Sequence, residues 1–443
     1  MKKAALPETV VKAFIHYFEQ VQQGASGMIP ESDITLPQSD NLIFYSTLEQ
    51  PQDYKPSRVA IIKLNGGLGT SMGLKKAKSL LKVKDNYNFL DIICKQTIKL
   101  REKTGLQIPL LFMNSFNTRY DTLEWLKRYP ELKIPGIPLD FIQNRFPKIR
   151  RDNLAPLQLA EENLNWNPPG HGEIYLALEI TGTLQKLAAH HIDYIFISNS
   201  DNLGAIINSK ILHYLQDKRV PFLMEVCLRT EMDKKGGHLA QGSDGQLLLR
   251  EVAQCPQEDI AEFQNVDKYR YFNTNNLWVN LLALKKKLAE YNNILPLPLI
   301  LNTKEVNGCP VYQLETAMGA AIGLFPGAKA IVVDRHRFVP VKKTDDLLAL
   351  WSDAYKLSEG FNIIIDSLRG KPPVIRLDEH YREISQLEEH FRDGIPSLRE
   401  CTELNVAGDV YFGPNVKIRG KTAINATKKT YLKNKILTGM IEI

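Results

Sequence analysis

The stretch VAIIKLNGGLGTSMGLKKAKS (residues 59–79) decides the fold class of this chain. It begins with a short apolar run, residues 59–62, which predicts a buried β-strand. Four glycines follow, and glycine lets the backbone approach an anion closely and point its N–H groups at phosphate oxygens. The stretch ends with Lys75, Lys76 and Lys78, which supply positive charge. It therefore predicts a strand that runs into a phosphate-binding loop.

The glycine spacing disfavours the two commonest nucleotide-binding motifs. No glycine of the stretch is followed, after four intervening residues, by the Gly-Lys-Ser/Thr of a P-loop. Met72 stands where a dinucleotide-binding fingerprint requires its third glycine. A glycine-rich turn without a ligand is the alternative interpretation, and the loop alone does not exclude it.

Strands and helices alternate on the C-terminal side of this loop. Apolar runs bounded by turn residues predict strands, and apolar residues at helical spacing predict helices. The predicted strands are residues 108–113, 139–142, 192–198 and 221–228, and the predicted helices are residues 89–100, 121–129, 173–188 and 205–217. This alternation is typical of an α/β fold with a mostly parallel sheet and helices on both faces. Ligands of such sheets bind beyond the carboxyl ends of the strands.

The two ends of the chain have different patterns. Residues 8–23 place apolar side chains at helical spacing, which predicts an amphipathic helix, and a polar connector follows to about residue 55. The segment LNVAGDVYFGPNVKIRG (residues 404–420) alternates short apolar runs with glycines. It predicts a small β-helical coil or, alternatively, a β-meander. The predicted domains are an N-terminal helical segment, a central α/β domain with the glycine-rich loop and a C-terminal β-helix-like domain, at residues 1–55, 56–384 and 385–443.

The composition is typical of a folded, water-soluble protein. Of the 443 residues, 44% are hydrophobic and 24% are charged, and the formal net charge of +6 does not require nucleic acid as a partner. The N-terminus lacks the apolar stretch of a signal peptide, and no apolar run approaches the roughly 20 residues of a membrane span. Five scattered cysteines are typical of reduced thiols. We expect a cytoplasmic protein that binds neither nucleic acid nor membranes.

Polar segments recur beside the predicted strands and helices. They are FIQNRFP (141–147), NPPGHGEIY (167–175), FISNSDNLG (196–204), KGG (235–237), REVAQCP (250–256), YFNTNNLW (271–278), QLETAMGAAI (313–322) and RFVPVKKTDDL (337–347). With these segments and the glycine-rich loop, the chain resembles the UDP-glucose pyrophosphorylase family, also called UTP:glucose-1-phosphate uridylyltransferase, in its eukaryotic-type form. The resemblance keeps the same order along about residues 56–420.

The resemblance implies a fold, a reaction and an assembly. The fold would be α/β, with a Rossmann-like nucleotidyltransferase (GT-A-like) mixed sheet core and a small C-terminal β-helix-like domain that can mediate homo-oligomers. The family catalyses in-line attack of the phosphate oxygen of glucose 1-phosphate on the α-phosphorus of UTP, which forms UDP-glucose and pyrophosphate reversibly. Because the nucleophile is already an anion, the site must supply alignment and positive charge rather than a general base.

The resemblance also assigns residues to the nucleotide. The residues expected to bind UTP are Leu64, Asn65, Gly66, Gly67, Gln143, Gly170 and Asp201. An amide side chain at Gln143 and a backbone group at Gly170 would recognise the donor and acceptor edges of the uracil ring. Asp201 would also hold Mg2+, the expected cofactor, together with the phosphates. A turn at the end of a strand is the alternative interpretation for residues 199–201.

Two catalytic lysines, Lys78 and Lys342, are expected at the phosphates. The family usually has Gly-Pro before the first of them, where this chain has Lys76-Ala77. Lys76 is therefore an alternative to Lys78, or else a solvated loop charge, and Lys343 is an alternative to Lys342. A helix is predicted directly after the second lysine, with Thr344 as its cap.

A third group of residues is assigned to the sugar phosphate. They are His171, Asn199, Ser200, Gly237, Glu251, Asn273 and Asn275. His171 lies between glycines after two prolines, which is not the apolar helical setting of a core histidine. The structural alternatives are turns at the asparagines and a cross-strand ion pair at Glu251. Many family members have a larger apolar residue at the position of Ser200.

Two other functions remain open from the sequence. A related pyrophosphorylase would use N-acetylglucosamine 1-phosphate or another sugar 1-phosphate with the same mechanism. A non-catalytic sugar-nucleotide sensor or scaffold would use the C-terminal coil to bind partners. The presence of Lys78, Asp201 and Lys342 together argues against a sensor, because a sensor has little use for charge around a reacting phosphorus.

Overall fold

A mixed sheet forms the centre of the molecule. The structure is a computed structural model that describes residues 1–52, 54–366 and 370–443. The main strands are β1 (Leu42–Phe44), β2 (Val59–Asn65), β3 (Leu110–Asn114), β4 (Asp140–Ile142), β5 (Tyr194–Asn199), β6 (Phe222–Leu228), β7 (Tyr271–Asn280) and β8 (Lys329–Val332). They lie in the order β1, β8, β6, β7, β5, β2, β3, β4, and their pairings are parallel except for those of β7. The mostly parallel α/β sheet predicted from the sequence is confirmed.

Helices cover both faces of this sheet. The described part of the chain contains α1 (Glu8–Gln22), α2 (Phe89–Thr104), α3 (Arg119–Leu126), α4 (Ile174–Ile180), α5 (Thr183–Ala189), α6 (Ser209–Lys218), α7 (Ile260–Phe263), α8 (Leu281–Glu290), α9 (Thr344–Trp351) and α10 (Ile384–His390). Ile61 of β2 belongs to an apolar cluster that includes α2 and α6, whereas its neighbour Ile62 belongs to a cluster with α4 and α8. Side chains of a strand alternate between faces, so each face has its own core. None of the described helices is long and apolar enough to cross a membrane.

Two local predictions are wrong. Residues 173–188, predicted as one helix, form α4 and α5, because Gly182 adopts a left-handed conformation with φ of 66° between them. The polar connector before residue 55 contains β1, an edge strand of the central sheet. Three residues carry too little periodicity to be recognised as a strand without their partner.

Strand β7 was also not predicted from the sequence patterns. Residues 273–276 at its centre are Asn-Thr-Asn-Asn, which do not resemble a buried strand. The structure satisfies these polar groups inside the sheet: Thr274 Oγ1 donates to Glu225 O at 2.7 Å, and Asn276 Nδ2 donates to Glu225 Oε2 at 3.0 Å. Contacts with β6 thus compensate for a composition that is unfavourable for a strand.

Parallel strands stack in the C-terminal part of the chain. One sheet contains, in order, Val374–Leu377, Ser397–Ala407, Lys417–Asn425 and Ile436–Glu442, and a second pairs Val410–Phe412 with Thr430–Leu432. Each of these pairings is parallel. A meander has antiparallel neighbours, so the structure confirms the β-helical alternative. The division into three domains stays a prediction, and one apolar cluster includes residues of both the central sheet and this coil.

Candidate active site

The glycine-rich loop leaves β2 at the carboxyl edge of the sheet. Ser115 Oγ donates to Gly66 O at 2.9 Å, and Lys78 N–H donates to Gly67 O at 3.1 Å, so the loop closes on itself. Gly69 has a φ of 71°, which only glycine adopts without strain. A Cβ at Gly67 would meet no atom within 4 Å. The backbone at Gly67 therefore faces space into which a ligand can enter.

Leu64 and Asn65, at the end of β2, connect the start of this loop to the neighbouring elements. The Asn65 side chain points into the protein, where Nδ2 donates to Asn114 Oδ1 and to Thr122 Oγ1, both at 2.8 Å. Leu64 O accepts a hydrogen bond from Ser200 N–H at 3.0 Å. The two residues thus connect β2 to β3, to α3 and to the segment after β5.

Two lysines from distant segments meet at one aspartate. Lys78 Nζ lies 2.8 Å from Asp201 Oδ2, and Lys342 Nζ lies 3.3 Å from the same oxygen. Lys78 Nζ also donates to Val341 O, and Val341 N–H donates to Asp201 O at 3.2 Å. The end of the glycine loop, the end of β5 and the segment before α9 therefore converge on a single carboxylate.

The electrostatics of Asp201 follow from this arrangement. Burial alone would raise its pKa, but the charges of Lys342 and Lys78 and their hydrogen bonds outweigh burial and lower the pKa. Its other oxygen, Oδ1, is buried and accepts no hydrogen bond from any residue that the structure describes. A charged carboxylate with one buried oxygen that has no hydrogen-bond partner is suited to bind a cation.

The structure distinguishes the lysines that the sequence left as alternatives. Lys76 and Lys343 are exposed, and neither forms an ion pair within the described part of the chain, whereas Lys78 and Lys342 contact Asp201. The predicted cap of the following helix is wrong, because Thr344 is the first residue of α9. Asp346 caps the helix instead, since its carboxylate accepts the backbone N–H groups of residues 342 and 343 at 2.7 and 3.0 Å.

Gln143 joins the two segments expected at the uracil ring. Its Nε2 donates to Gly170 O at 2.7 Å, and its Oε1 would lie 3.1 Å from a Cβ at Gly66. Gly170 has a φ of 78°, and a Cβ there would lie 2.4 Å from Thr316 O. The glycine therefore lets the residue 167–172 segment pack directly on the backbone at Thr316, and Gln143 spans the gap to the glycine-rich loop.

His171 is held as a neutral imidazole. Met318 N–H donates to its Nδ1 at 2.9 Å, so Nδ1 carries no proton and Nε2 carries one. Burial, together with the nearby charge of Lys342, lowers the pKa of His171 to about 4. His171 can therefore donate one hydrogen bond from Nε2 without adding charge to the site.

Four residues assigned to the sugar come together at the N-terminal half of β7. Asn273 N–H donates to Gly237 O at 3.0 Å, and a Cβ at Gly237 would lie 2.6 Å from the Glu251 carboxylate. Asn273 and Asn275 bond to each other within β7, where the register of this strand with β6 shifts, and not in a turn between elements. Glu251 forms no ion pair with any residue that the structure describes, so the alternative of a cross-strand ion pair is wrong. Burial instead raises the pKa of the Glu251 carboxyl to about 7.

Hydrogen bonds connect β7, which carries Asn273 and Asn275, to the segment that carries Asp201. Asn202, next to Asp201, donates from Nδ2 to Asn276 Oδ1 at 3.2 Å and to Arg337 O at 3.1 Å. Asn199 is half-buried and Ser200 is buried at the end of β5, on the chain just before Asp201. All residues predicted from the sequence thus lie on segments that meet beyond the carboxyl ends of β2 and β5.

A buried layer of charged residues that was not predicted from the sequence lies beneath this edge. Lys63 is 2% exposed in β2, and Arg337 pairs with Glu225 in the interior at 2.6 Å. Trp278 Nε1 donates to the same carboxylate at 2.8 Å. A lysine inside the otherwise apolar run VAIIKL was a visible signal, because such a residue is rarely buried without a partner.

Comparisons with known proteins point to one family. A family model described as UTP--glucose-1-phosphate uridylyltransferase matches residues 11–419. The chain is 38% identical to the UTP--glucose-1-phosphate uridylyltransferase of Musa acuminata, over 99% of this chain and 96% of that protein. It is 36% identical to the protein of the same name from Saccharomyces cerevisiae, over 98% of this chain and 90% of that one.

Solved structures give a similar result. A mutant of UDP-glucose pyrophosphorylase from Leishmania major in complex with UDP-glucose superposes with a TM-score of 0.93 at 42% identity, and covers 100% of this chain and 98% of that chain. A UDP-glucose phosphorylase from Trypanosoma brucei superposes with a TM-score of 0.90 at 42% identity, over 99% of this chain and 98% of that chain.

Proposed function

The chain belongs to the UTP--glucose-1-phosphate uridylyltransferase family, and we propose that its site joins UTP to glucose 1-phosphate to form UDP-glucose and pyrophosphate. The observation that carries this proposal is the meeting of Lys78, Lys342 and Asp201 at the carboxyl edge of the sheet. Three segments that are far apart in the sequence place opposite charges on one point there. One lysine is enough to neutralise a carboxylate in a structural ion pair. A second lysine leaves positive charge that can bind a triphosphate.

The reaction requires no proton transfer from the protein. The phosphate oxygen of glucose 1-phosphate is an anion and can attack the α-phosphorus of UTP directly, while the bond to the pyrophosphate leaving group breaks. Lys78 and Lys342 would stabilise the charge of the phosphates as it redistributes. The hydrogen bond from Lys78 to Val341 O ties the two lysine-bearing segments to each other, so both ammonium groups are aligned before the substrates arrive.

Recognition of the two substrates would be divided between the two ends of the site. Gln143 and the backbone at Gly170 lie beside the glycine-rich loop, where a uracil ring would find an amide and carbonyl groups. Asn273 and Glu251 lie beside Gly237 on the other side, where hydroxyl groups of a hexose would find polar partners. His171 would donate from Nε2 to a phosphate oxygen as a neutral group.

Mg2+ is the cofactor that we propose. The unpartnered Oδ1 of Asp201 fits it, because carboxylate oxygens are preferred ligands of this hard ion. The described residues contain no group of three or more His, Cys, Asp or Glu side chains that could hold a metal ion alone. Asp201 would therefore share the ion with the phosphates, and the ion would neutralise part of their charge. A cytoplasmic location and homo-oligomers formed through the C-terminal coil stay predictions.

Pyrophosphate release tests the proposal. The assay contains Mg2+ and either glucose 1-phosphate, galactose 1-phosphate or N-acetylglucosamine 1-phosphate, each with UTP and with the other nucleoside triphosphates. We expect selective release with UTP and glucose 1-phosphate. The Lys342→Ala variant should lose most of the rate, by roughly 100-fold, whereas Lys343→Ala, a neighbouring exposed lysine without contact to Asp201, should lose little.

Each other outcome has a definite meaning. Selectivity for another sugar 1-phosphate would keep the mechanism and change the substrate. An equal loss in the Lys342→Ala and Lys343→Ala variants would contradict the assignment of the second lysine. No release from any pair of substrates would refute the proposed reaction.

A further inference from the structure

Lys63 is a buried lysine to which the reaction gives no role. It lies in β2, one residue before Leu64, and its side chain is 2% exposed. Its Nζ donates to Ser198 Oγ and to Ala205 O, both at 2.8 Å. Its ammonium group therefore spans from β2 to two points on the neighbouring part of the chain.

These two points lie on either side of the aspartate. Ser198 precedes the end of β5 and is the parallel partner of Lys63 in the sheet, while Ala205 ends the turn that follows Asp201. One ammonium group thus joins the beginning and the end of the segment 198–205 and attaches both to the strand that continues into the glycine-rich loop. Bonding both acceptors at once requires a side chain with at least two N–H donors, and the lysine ammonium has three.

Other contacts hold the same segment from its opposite side. Arg337 O accepts from Asn202, and Arg337 itself donates to Ile206 O at 3.0 Å. A Cβ at Gly204 would lie 2.4 Å from His336 O, so the backbones are in direct contact. The aspartate segment is therefore enclosed between the layer at residues 336–337 and Lys63. The backbone pairing of β2 with β5 holds the beginning of the segment, and Lys63 also attaches its end, at Ala205, to β2.

We propose that Lys63 is a positioning residue of the transfer site, whose ammonium group fixes the segment 198–205 against β2 so that Asp201 faces Lys78 and the bound nucleotide. The inference rests on the proposed function. It assigns to Lys63 no contact with a substrate. Its effect is on the relative position of the glycine-rich loop and Asp201, which both have to contact the same nucleotide.

The energetic cost of this lysine supports a functional role. Burial, and the nearby charge of Arg337, lower the pKa of Lys63 to about 7, so the fold disfavours its charged form. An apolar side chain of similar length would fill the same space in β2 without that cost. A residue that is unfavourable for the fold and joins two parts of a site is typical of a stability–function compromise.

The test compares two buried lysines. Lys63→Met removes the donor and keeps the length of the side chain. Lys148→Met is the control, because Lys148 is 8% exposed, donates to the backbone carbonyl of Leu164 at 2.8 Å and has a pKa lowered by burial, but lies outside the site. The readouts are melting temperature, kcat and KM for each substrate, and the affinity for UTP with Mg2+ by calorimetry.

We expect Lys63→Met to melt no lower than Lys148→Met and to lose at least about tenfold in kcat/KM for UTP and in UTP affinity. The KM for glucose 1-phosphate should change less. Lys148→Met should keep the wild-type kinetics. Ser198→Ala, which removes one acceptor and keeps the lysine, should show a smaller loss in the same two quantities.

The inference would be overturned by a folded Lys63→Met variant with kinetics and UTP affinity within about twofold of wild type. If Lys63→Met does not fold, wild-type values in Ser198→Ala would overturn it. If the wild-type protein binds UTP but forms no UDP-glucose, the proposed function fails, whereas the ratio of UTP affinities between wild type and Lys63→Met still decides the role of Lys63.

Discussion

Asp201 is the residue at which the charges of the site meet. Two ammonium groups face one of its oxygens, so an excess of positive charge remains at the carboxyl edge of the sheet. An incoming triphosphate is attracted to such a point, and the attraction is stronger in a partly buried site than in water. We infer that Asp201 holds Lys78 and Lys342 in place and offers its free oxygen to the cation that accompanies the nucleotide.

Glu251 gives a prediction for stability at different pH values. Burial raises its pKa from 4.5 to about 7 in the folded protein. Between these values the folded state keeps a proton that the unfolded state has lost, so the free energy of unfolding falls as pH rises through this window. Glu251→Gln lacks this titration. The melting temperature should therefore fall less between pH 5 and pH 8 in the variant than in wild type; an identical fall would contradict the assignment.

Single residues of the site differed in how far the sequence could predict them. Lys78 and Lys342 were expected at the phosphates, but the sequence did not show that they meet at one oxygen, because that contact depends on the packing of three separate segments. Asn65 was expected at the nucleotide, and the structure directs its side chain into the interior. Lys63 was missed, since its partners Ser198 and Ala205 lie far from it in the sequence.

The conformation of the glycine-rich loop depends on its glycines. Lys78 N–H closes the loop on Gly67 O, while Gly69 turns the backbone in a left-handed conformation. Gly67 and Gly69 therefore have different structural roles, although the sequence does not distinguish them. Gly69 is required by the path of the chain, and Gly67 leaves room for a ligand.

This difference is a prediction about two alanine variants. Gly69→Ala places a side chain at φ of 71°, with a Cβ 2.8 Å from Leu74, and should lower the stability by about 1–2 kcal/mol or more. Gly67→Ala has no such clash, so it should keep the wild-type melting temperature and raise the KM for UTP. Thermal melting and steady-state kinetics check both variants. Loss of stability in Gly67→Ala without an effect on KM would contradict the proposed ligand space.

Elements were predictable where periodicity is strong. Strands β2, β5 and β6 and helix α1 were expected within a few residues of their observed ends, because their apolar patterns are continuous. Strand β7 was not, since its polar residues become compatible with a sheet only through Glu225 on the neighbouring strand. The C-terminal coil was one of two alternatives, because parallel and antiparallel stacking leave similar patterns in a short segment.

The whole molecule connects the coil to the site. Glu383, just before α10, packs against Gly73 of the glycine-rich loop, where a Cβ would lie 3.2 Å from its carboxyl carbon. Leu377 N–H donates to Asp345 Oδ1 at 3.3 Å, in the helix that follows Lys342. The segments that carry Lys78 and Lys342 therefore both contact the C-terminal part of the chain, and its packing contributes to their positions.

The rate of UDP-glucose formation by an Asp201→Asn variant, at saturating UTP, Mg2+ and glucose 1-phosphate, tests most directly whether nucleotidyl transfer occurs at this edge of the sheet. The substitution keeps the shape of the side chain and removes the charge that Lys78 and Lys342 share. We predict a rate lower by about 100-fold or more, and a melting temperature below that of wild type, because Lys78 and Lys342 lose their shared partner. A folded variant that keeps a rate within about twofold of wild type would contradict the assignment of the site.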